Sequence, residues 1–197
     1  MESLPILIGL IFISAIASYC EAKGTIMVEL SFYKNPKGTD ENGKCCDKKV
    51  LFCVKNGCDH MFNVCVDKKK GYGCTFGRIQ TPAVIDKDTI EFGKTIGSMP
   101  NPLMFQVNGA IPSAIDIKIA VYDEDKGFNS KNAYVELLKI PIANLGMEPK
   151  RYTKTLKTTI DIKAWYVCAK GFGGPGCKSK TSRRETFVRR YLENYYA

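Results

Sequence analysis

Histidine is almost absent from this 197-residue chain, with His60 standing alone. A repeated Cys/His metal claw therefore cannot be assembled, and no two of the nine cysteines are spaced as C-x-x-C. The HExxH and nucleophile-elbow patterns are missing too, and no serine stands in a recognisable catalytic setting. His60, flanked by Asp59, reads as a surface or packing residue rather than a general base, so the chain is not expected to be an enzyme. It has no N-x-S/T sequon, internal repeat or low-complexity tract. Beyond its first apolar run, no segment approaches the ~20 residues needed to cross a bilayer. The expected product is soluble and released, with no anchor of its own.

That first run occupies 4–17 (LPILIGLIFISAIA) and gives way to the polar SYCEAKG. It is shorter than a membrane span and ends in small residues, as a secretory leader does, although Glu2 stands where leaders usually carry basic charge. Cleavage after Ala17 would leave Cys20 and an odd cysteine count on the mature chain. Cleavage after Cys20 or Ala22 leaves eight, and an even number suits an exported protein, so 1–22 is assigned to the signal peptide. The remaining length, about 175 residues, suffices for one well-buried domain with an appendage. The net charge of +9 fits a solvated basic surface. Nucleic acid is not an expected partner, because the chain is exported and lacks an Arg/aromatic recognition motif. Sulfated glycans or acidic phospholipid head groups suit the charge better.

The rest is punctuated into short strands. Apolar residues alternate through 24–33 (Ile26, Val28, Leu30, Phe32) and again at Phe62, Val64 and Val66. Further strands are expected over 89–92, 103–107, 115–122, 134–140, 152–160 and 162–167. Turn formers separate them: NPKG at 35–38, NG at 42–43 and 108–109, SMPNP at 98–102 and DEDKG at 123–127. About eight such strands predict an all-β fold, an antiparallel β-sandwich.

Six cysteines fall in the same region: Cys45, Cys46, Cys53, Cys58, Cys65 and Cys74. Two more, Cys168 and Cys177, close the expected strand region. The 35–58 loop is polar and cannot bury much apolar surface. Disulfides would hold it, each worth about 3 kcal/mol in the chain-entropy model for loops of this size. Adjacent Cys45 and Cys46 are expected to diverge to different partners; otherwise the fifteen possible pairings of the six remain open.

The stretches GTIMVELSFYKNPKG, NGKCC, CDHMFNVC and GCTFG…TP resemble, in order and spacing, the N-terminal (MNNL) domain of Delta/Serrate/Jagged Notch ligands. The resemblance covers about 23–167 and implies a C2-type sandwich and a receptor built of EGF-like repeats. WYVCAKGFGGPGC (165–177) further resembles the opening of the family's DSL module, which implies a Cys168–Cys177 bond. An EGF-like closing turn is the alternative reading of that segment. Later DSL cysteines do not follow: Thr181 occupies the place of the third. Carried over in register, receptor contact would fall on Arg184, Phe187 and Val188, with Glu185 between. The local pattern argues otherwise. Ser182 and Glu185 form an S-x-x-E capping box, and Phe187, Val188, Tyr191, Leu192 and Tyr195 recur at helical spacing. An amphipathic helix is expected over 183–195, within a partial DSL-like segment at 168–197.

The strand running into Asp123 and Asp125 resembles a calcium-binding C2 loop, since Ca²⁺ takes six to eight oxygens. Asp40, beside Glu41, is the partner carboxylate across the sandwich. So few ligands would make at most a weak calcium site, and a plain acidic-basic turn is the alternative. The function expected is that of an extracellular Notch ligand in a truncated or diffusible form. The second expectation is a secreted C2-like module for acidic phospholipid or sulfated glycan.

Overall fold

A computed structural model describes residues 23–46, 57–124 and 132–181. The strands, in chain order, are β1 (Gly24–Lys34), β2 (His60–Lys68), β3 (Gly77–Gln80), β4 (Thr89–Glu91), β5 (Thr95–Ile96) and β6 (Met99–Pro100). They continue with β7 (Leu103–Val107), β8 (Ile115–Asp123), β9 (Ala133–Ile142), β10 (Lys150–Thr155) and β11 (Thr159–Cys168). β12 (Phe172–Gly173), a 3₁₀ turn at Pro175–Cys177 and β13 (Ser179–Lys180) complete the described residues. One sheet runs β10-β11-β1-β4, with β7 also on β1; the other runs β3-β2-β8-β9, and all the pairings are antiparallel. This is the expected all-β sandwich. The helix expected over 183–195 and the leader at 1–22 lie outside the described residues.

The alternation seen in the sequence sets which face of each strand is buried. Ile26, Val28 and Leu30 of β1 and Ile160, Ile162 and Ala164 of β11 enter one core with Phe62, Val64 and Val66 of β2 and Ile115, Ile117 and Ile119 of β8. Burying one such aliphatic side chain contributes about 1.5–3 kcal/mol, so the core carries most of the stability. Tyr33, wholly buried, packs edge-on against His60 (4.7 Å) and Phe62 (5.0 Å).

β1 is served along one edge by two short strands, β7 beside Gly24–Val28 and β4 beside Phe32–Lys34. Asn101 fills the gap between them. Its Oδ1 accepts the Leu30 N–H at 3.0 Å and its Nδ2 donates to the Leu30 carbonyl at 2.8 Å. A side-chain amide thus completes a ladder that neither strand could. The expected strand at 152–160 is in fact a hairpin: β10 ends at Thr155 and β11 begins at Thr159. Between them, the Glu136 carboxylate accepts the backbone N–H of Lys157 (3.1 Å) and both the N–H (2.9 Å) and the hydroxyl (2.7 Å) of Thr158.

Candidate functional site

Two ends of the sandwich carry the residues singled out by the sequence. At one end β11 finishes in Cys168, bonded to Cys177. The short finger between them is seated by main-chain contacts. Ala169 N–H donates to the Lys23 carbonyl (3.0 Å), Ile111 N–H to the Gly176 carbonyl (2.9 Å), and Gly176 N–H to the Tyr166 hydroxyl (2.9 Å). Gly176 adopts φ +66°, and a Cβ there would lie 2.4 Å from the Ile111 carbonyl oxygen. Only glycine allows that close approach. Thr181 N–H donates to the Gly171 carbonyl (2.9 Å), so the chain leaves the finger beside the end of β11.

The same end carries a second disulfide, Cys65–Cys74, closing the turn between β2 and β3. Beneath it Asp67 is wholly buried and paired with Lys118 Nζ at 2.8 Å. The Lys118 ammonium also donates to the Gly71 (2.8 Å) and Gly73 (3.1 Å) carbonyls, and Thr75 donates to Asp67 from its amide and its hydroxyl. Burial by itself pushes the Asp67 carboxyl up. The hydrogen bonds from Lys118 and Thr75, with the Lys118 charge, outweigh it and hold the group well below the usual carboxylate range. Tyr72, at the tip of this braced turn, is fully exposed.

At the opposite end, residues 35–46, 57–59 and 156–158 come together. Cys46 bonds Cys58. Cys45 is disulfide-bonded as well, and the adjacent cysteines therefore diverge; Cys53 lies outside the described residues. A surface cavity of about 510 Å³ opens here, walled by Lys37, Asp40, Glu41, Leu156 and Lys157 among others. Lys157 Nζ donates to the Glu41 carbonyl across its mouth at 2.7 Å.

Asp123 and Asp40, proposed for calcium, each accept main-chain N–H groups. Asp123 is the last residue of β8, paired across the ladder with His60; it is buried, and its Oδ1 accepts the Asp59 N–H at 2.7 Å. Asp40 turns its Oδ1 onto the N–H groups of Asn42 (2.9 Å) and Lys44 (2.8 Å), closing its own turn. Among the described residues the close donor groups are Cys46, Cys58 and Asp123, and Cys58, His60 and Asp88. Neither includes Asp40, and both contain sulfur already committed to a disulfide, so the donor chemistry does not suit a hard cation. Asp125 lies outside the described residues, as do Arg184, Phe187 and Val188. His60 is a fully buried packing residue rather than a surface one, its Nε2 3.6 Å from Asp88 Oδ1. The sequence reading missed Asp67, Glu136 and Asn101. All three are buried or nearly so; Asn101 and Glu136 hold backbone far away in sequence and Asp67 pairs with the distant Lys118 side chain, so no local pattern marks them.

Two facing antiparallel sheets, joined at one end to a disulfide finger, define a C2-like β-sandwich domain with an appended module. A family model described as the N terminus of the Notch ligand C2-like domain matches residues 23–165. The chain belongs to that Notch-ligand family. Among solved structures, Drosophila C2-DSL-EGF1 superposes with a TM-score of 0.68 at 18% identity, covering 82% of this chain and 75% of that one. A C2 domain of plant extended synaptotagmin 1 matches at TM-score 0.50 and 12% identity (76% and 98% covered). Human GIVD cytosolic phospholipase A2 gives TM-score 0.50 at 12% identity (76% and 18% covered). At these identities the structural likeness speaks for the fold. Among curated protein sequences, none matches the chain. No helix among the described residues is long and apolar enough to cross a membrane.

Proposed function

We propose that this chain is an extracellular ligand that engages EGF-like repeats of a Notch receptor through the loops of its sandwich and the Cys168–Cys177 finger. The observation that carries the reading is the family match over 23–165, continued by a disulfide-closed finger fixed to the end of that domain. A rigid junction of this kind holds two contact surfaces in one geometry, which lowers the ordering cost of binding. A released form would occupy the receptor without transmitting force and so act as an antagonist.

The test is an immobilised receptor EGF-repeat fragment titrated with this protein, beside heparin and acidic liposomes, at two salt concentrations. Receptor binding with modest salt dependence is the expected result. Strong liposome or heparin binding that collapses as salt rises, with no receptor signal, would replace this reading by that of a basic lipid- or glycan-binding module, because exposed charges are screened beyond about 10 Å at 0.1 M.

A further inference from the structure

Charge is unevenly placed on the sandwich. At the cavity end Asp40, Glu41, Asp59, Asp86 and Asp88 lie among the lysines. At the finger end the turn between β2 and β3 carries Lys68, Lys69 and Lys70, and the finger carries Lys170, Lys178 and Lys180, all exposed. Among the described residues none of these ammonium groups is paired with a carboxylate. The carboxylates beneath the turn are already engaged. Asp67 and Asp116 face each other across the β2–β8 ladder, and Lys118 neutralises the first at 2.8 Å while Lys139 neutralises the second at 2.9 Å. The same two groups hold the turn's backbone: Asp67 accepts the Lys68 N–H (2.9 Å) and Asp116 the Lys70 N–H (3.0 Å). In the neighbouring loop, Glu148 is exposed beside the equally exposed Lys150.

Turn and finger are neighbours. β3 lies across the core from β7, a Cβ on Gly77 falling 3.4 Å from the Phe105 ring. The Cys177 sulfur lies 3.0 Å from a Cβ built on Gly24, which pairs with Val107 of β7. The two sets of lysines thus stand on facing sheets, which pack about 10 Å apart. Each set sits on a backbone closed by its own disulfide, Cys65–Cys74 or Cys168–Cys177. Lysines fixed together without counter-charge create a positive field that only an anion from outside can neutralise.

We propose that this end of the molecule binds a linear sulfated polysaccharide, its sulfates taken by Lys68, Lys69 and Lys70 on the turn and by Lys170, Lys178 and Lys180 on the finger. Sulfates repeated along a stiff sugar chain reach both sets at once, each accepting charge-assisted hydrogen bonds. Tyr72, fully exposed between Gly71 and Gly73, offers a flat ring on which a sugar can stack. A lipid surface is the poorer partner. Attachment of a basic face to a membrane also draws on buried apolar area, and Tyr72 is the one large apolar side chain in residues 68–73. The inference goes beyond the receptor reading and does not rest on it, because its test contains no receptor.

The full chain is titrated onto immobilised heparin beside three full-length variants. Lys68→Gln/Lys69→Gln/Lys70→Gln alters the turn and Lys170→Gln/Lys178→Gln/Lys180→Gln the finger. Lys34→Gln/Lys44→Gln/Lys87→Gln removes the same charge at the cavity end. Circular dichroism checks that each keeps its β-sheet signal. The expected result is saturable heparin binding by the parent, weakened about tenfold by either finger-end variant and less than about twofold by the cavity-end one. Desulfated heparin should not compete. Equal losses from all three variants would overturn the proposal by leaving net charge as the whole cause. So would a parent that fails to bind heparin, or competition by the desulfated chain as strong as by heparin. Tighter binding to phosphatidylserine vesicles than to heparin, lost with the turn lysines, would also overturn it and assign this end to a membrane surface.

Discussion

The two ends of the sandwich both carry disulfides but differ in how their turns are held. At the finger end, backbone meets backbone at close range, two disulfides fall within a few residues of the sheet, and a buried carboxylate is matched by a lysine side chain only 17% exposed. At the cavity end, the Cys46–Cys58 bond and main-chain hydrogen bonds are joined by side-chain carboxylate acceptors that close the turns: Glu136 for 157–158, Asp40 for 42–44 and Asp88 for Cys58. Backbone seats tolerate no change of shape, whereas a side-chain acceptor can be lost with only its own hydrogen bonds. Substitutions at the finger end should therefore cost more than matched ones at the cavity end.

The largest difference is expected at Asp67. Asp67→Asn leaves the Lys118 ammonium in a largely buried site without its counter-charge, and breaking a buried pair in this way costs about 3–5 kcal/mol. Denaturant unfolding at neutral pH measures it. The sign of the pH dependence follows from the depressed carboxyl. Its stabilising contribution is complete above the unfolded-state value of about 4 and is lost as pH falls through the lower folded value. The parent should thus lose stability below about pH 4 more steeply than the variant, and parallel acid profiles would remove Asp67 from the account.

Next in size is a pair of glycines with the same left-handed backbone. Gly176 (φ +66°) faces the Ile111 carbonyl, whereas Gly43 (φ +76°) has nothing within 4 Å of a built Cβ. Gly43→Ala should cost about 1 kcal/mol of backbone strain, and Gly176→Ala roughly 2–4 kcal/mol because the clash adds to it. Equal melting shifts would show that the finger seat is soft.

These contrasts also explain how far the sequence could be read. β7, which alternates strictly, and β1 and β8 over much of their length are legible because a face buried in the core repeats every second residue, although an irregularity after Leu30 buries Tyr33 in place of the expected Phe32. The hairpin hidden in 152–160 is not, since TLKT carries no glycine, proline or asparagine; its turn is set by Glu136 from another strand. β3, four residues with no fully buried side chain, leaves no periodic trace. The paired aspartates looked like loop ligands, but Asp123 is drawn into the ladder opposite His60, which a D-x-D spacing cannot reveal. The cysteine rhythm marked the family, yet only the folded chain selects Cys46–Cys58 and Cys65–Cys74 from the open pairings.

Glu136→Ala tests the cavity end directly. It leaves the buried Thr158 amide and hydroxyl without their acceptor, for about 1–3 kcal/mol. Thermal melts should show the loss, and hydrogen exchange should show it confined to 155–159. Loss of protection across the whole sheet would mean that the two ends are not separable. The smallest effect concerns calcium. With Asp40 and Asp123 engaged elsewhere, calorimetry should find no calcium site tighter than about 10⁻⁴ M, and Asp123→Asn/Asp125→Asn should match the parent. A saturable heat that the double substitution abolishes would reinstate the loop as a cation site.

The pairing of Gly24 with Cys168 has a mechanical corollary. Both ends of the β1–β11 pair leave the sandwich at the same side, and antiparallel hydrogen bonds run perpendicular to the strands. Pulling Lys23 and Thr181 apart would peel that ladder open one rung at a time once the finger gave way. A tug on Thr181 against an attachment at the cavity end instead runs along β11 and loads its rungs with β1 and β10 in shear, all at once. The domain is thus weak when stretched between its termini and strong when held by its far tip.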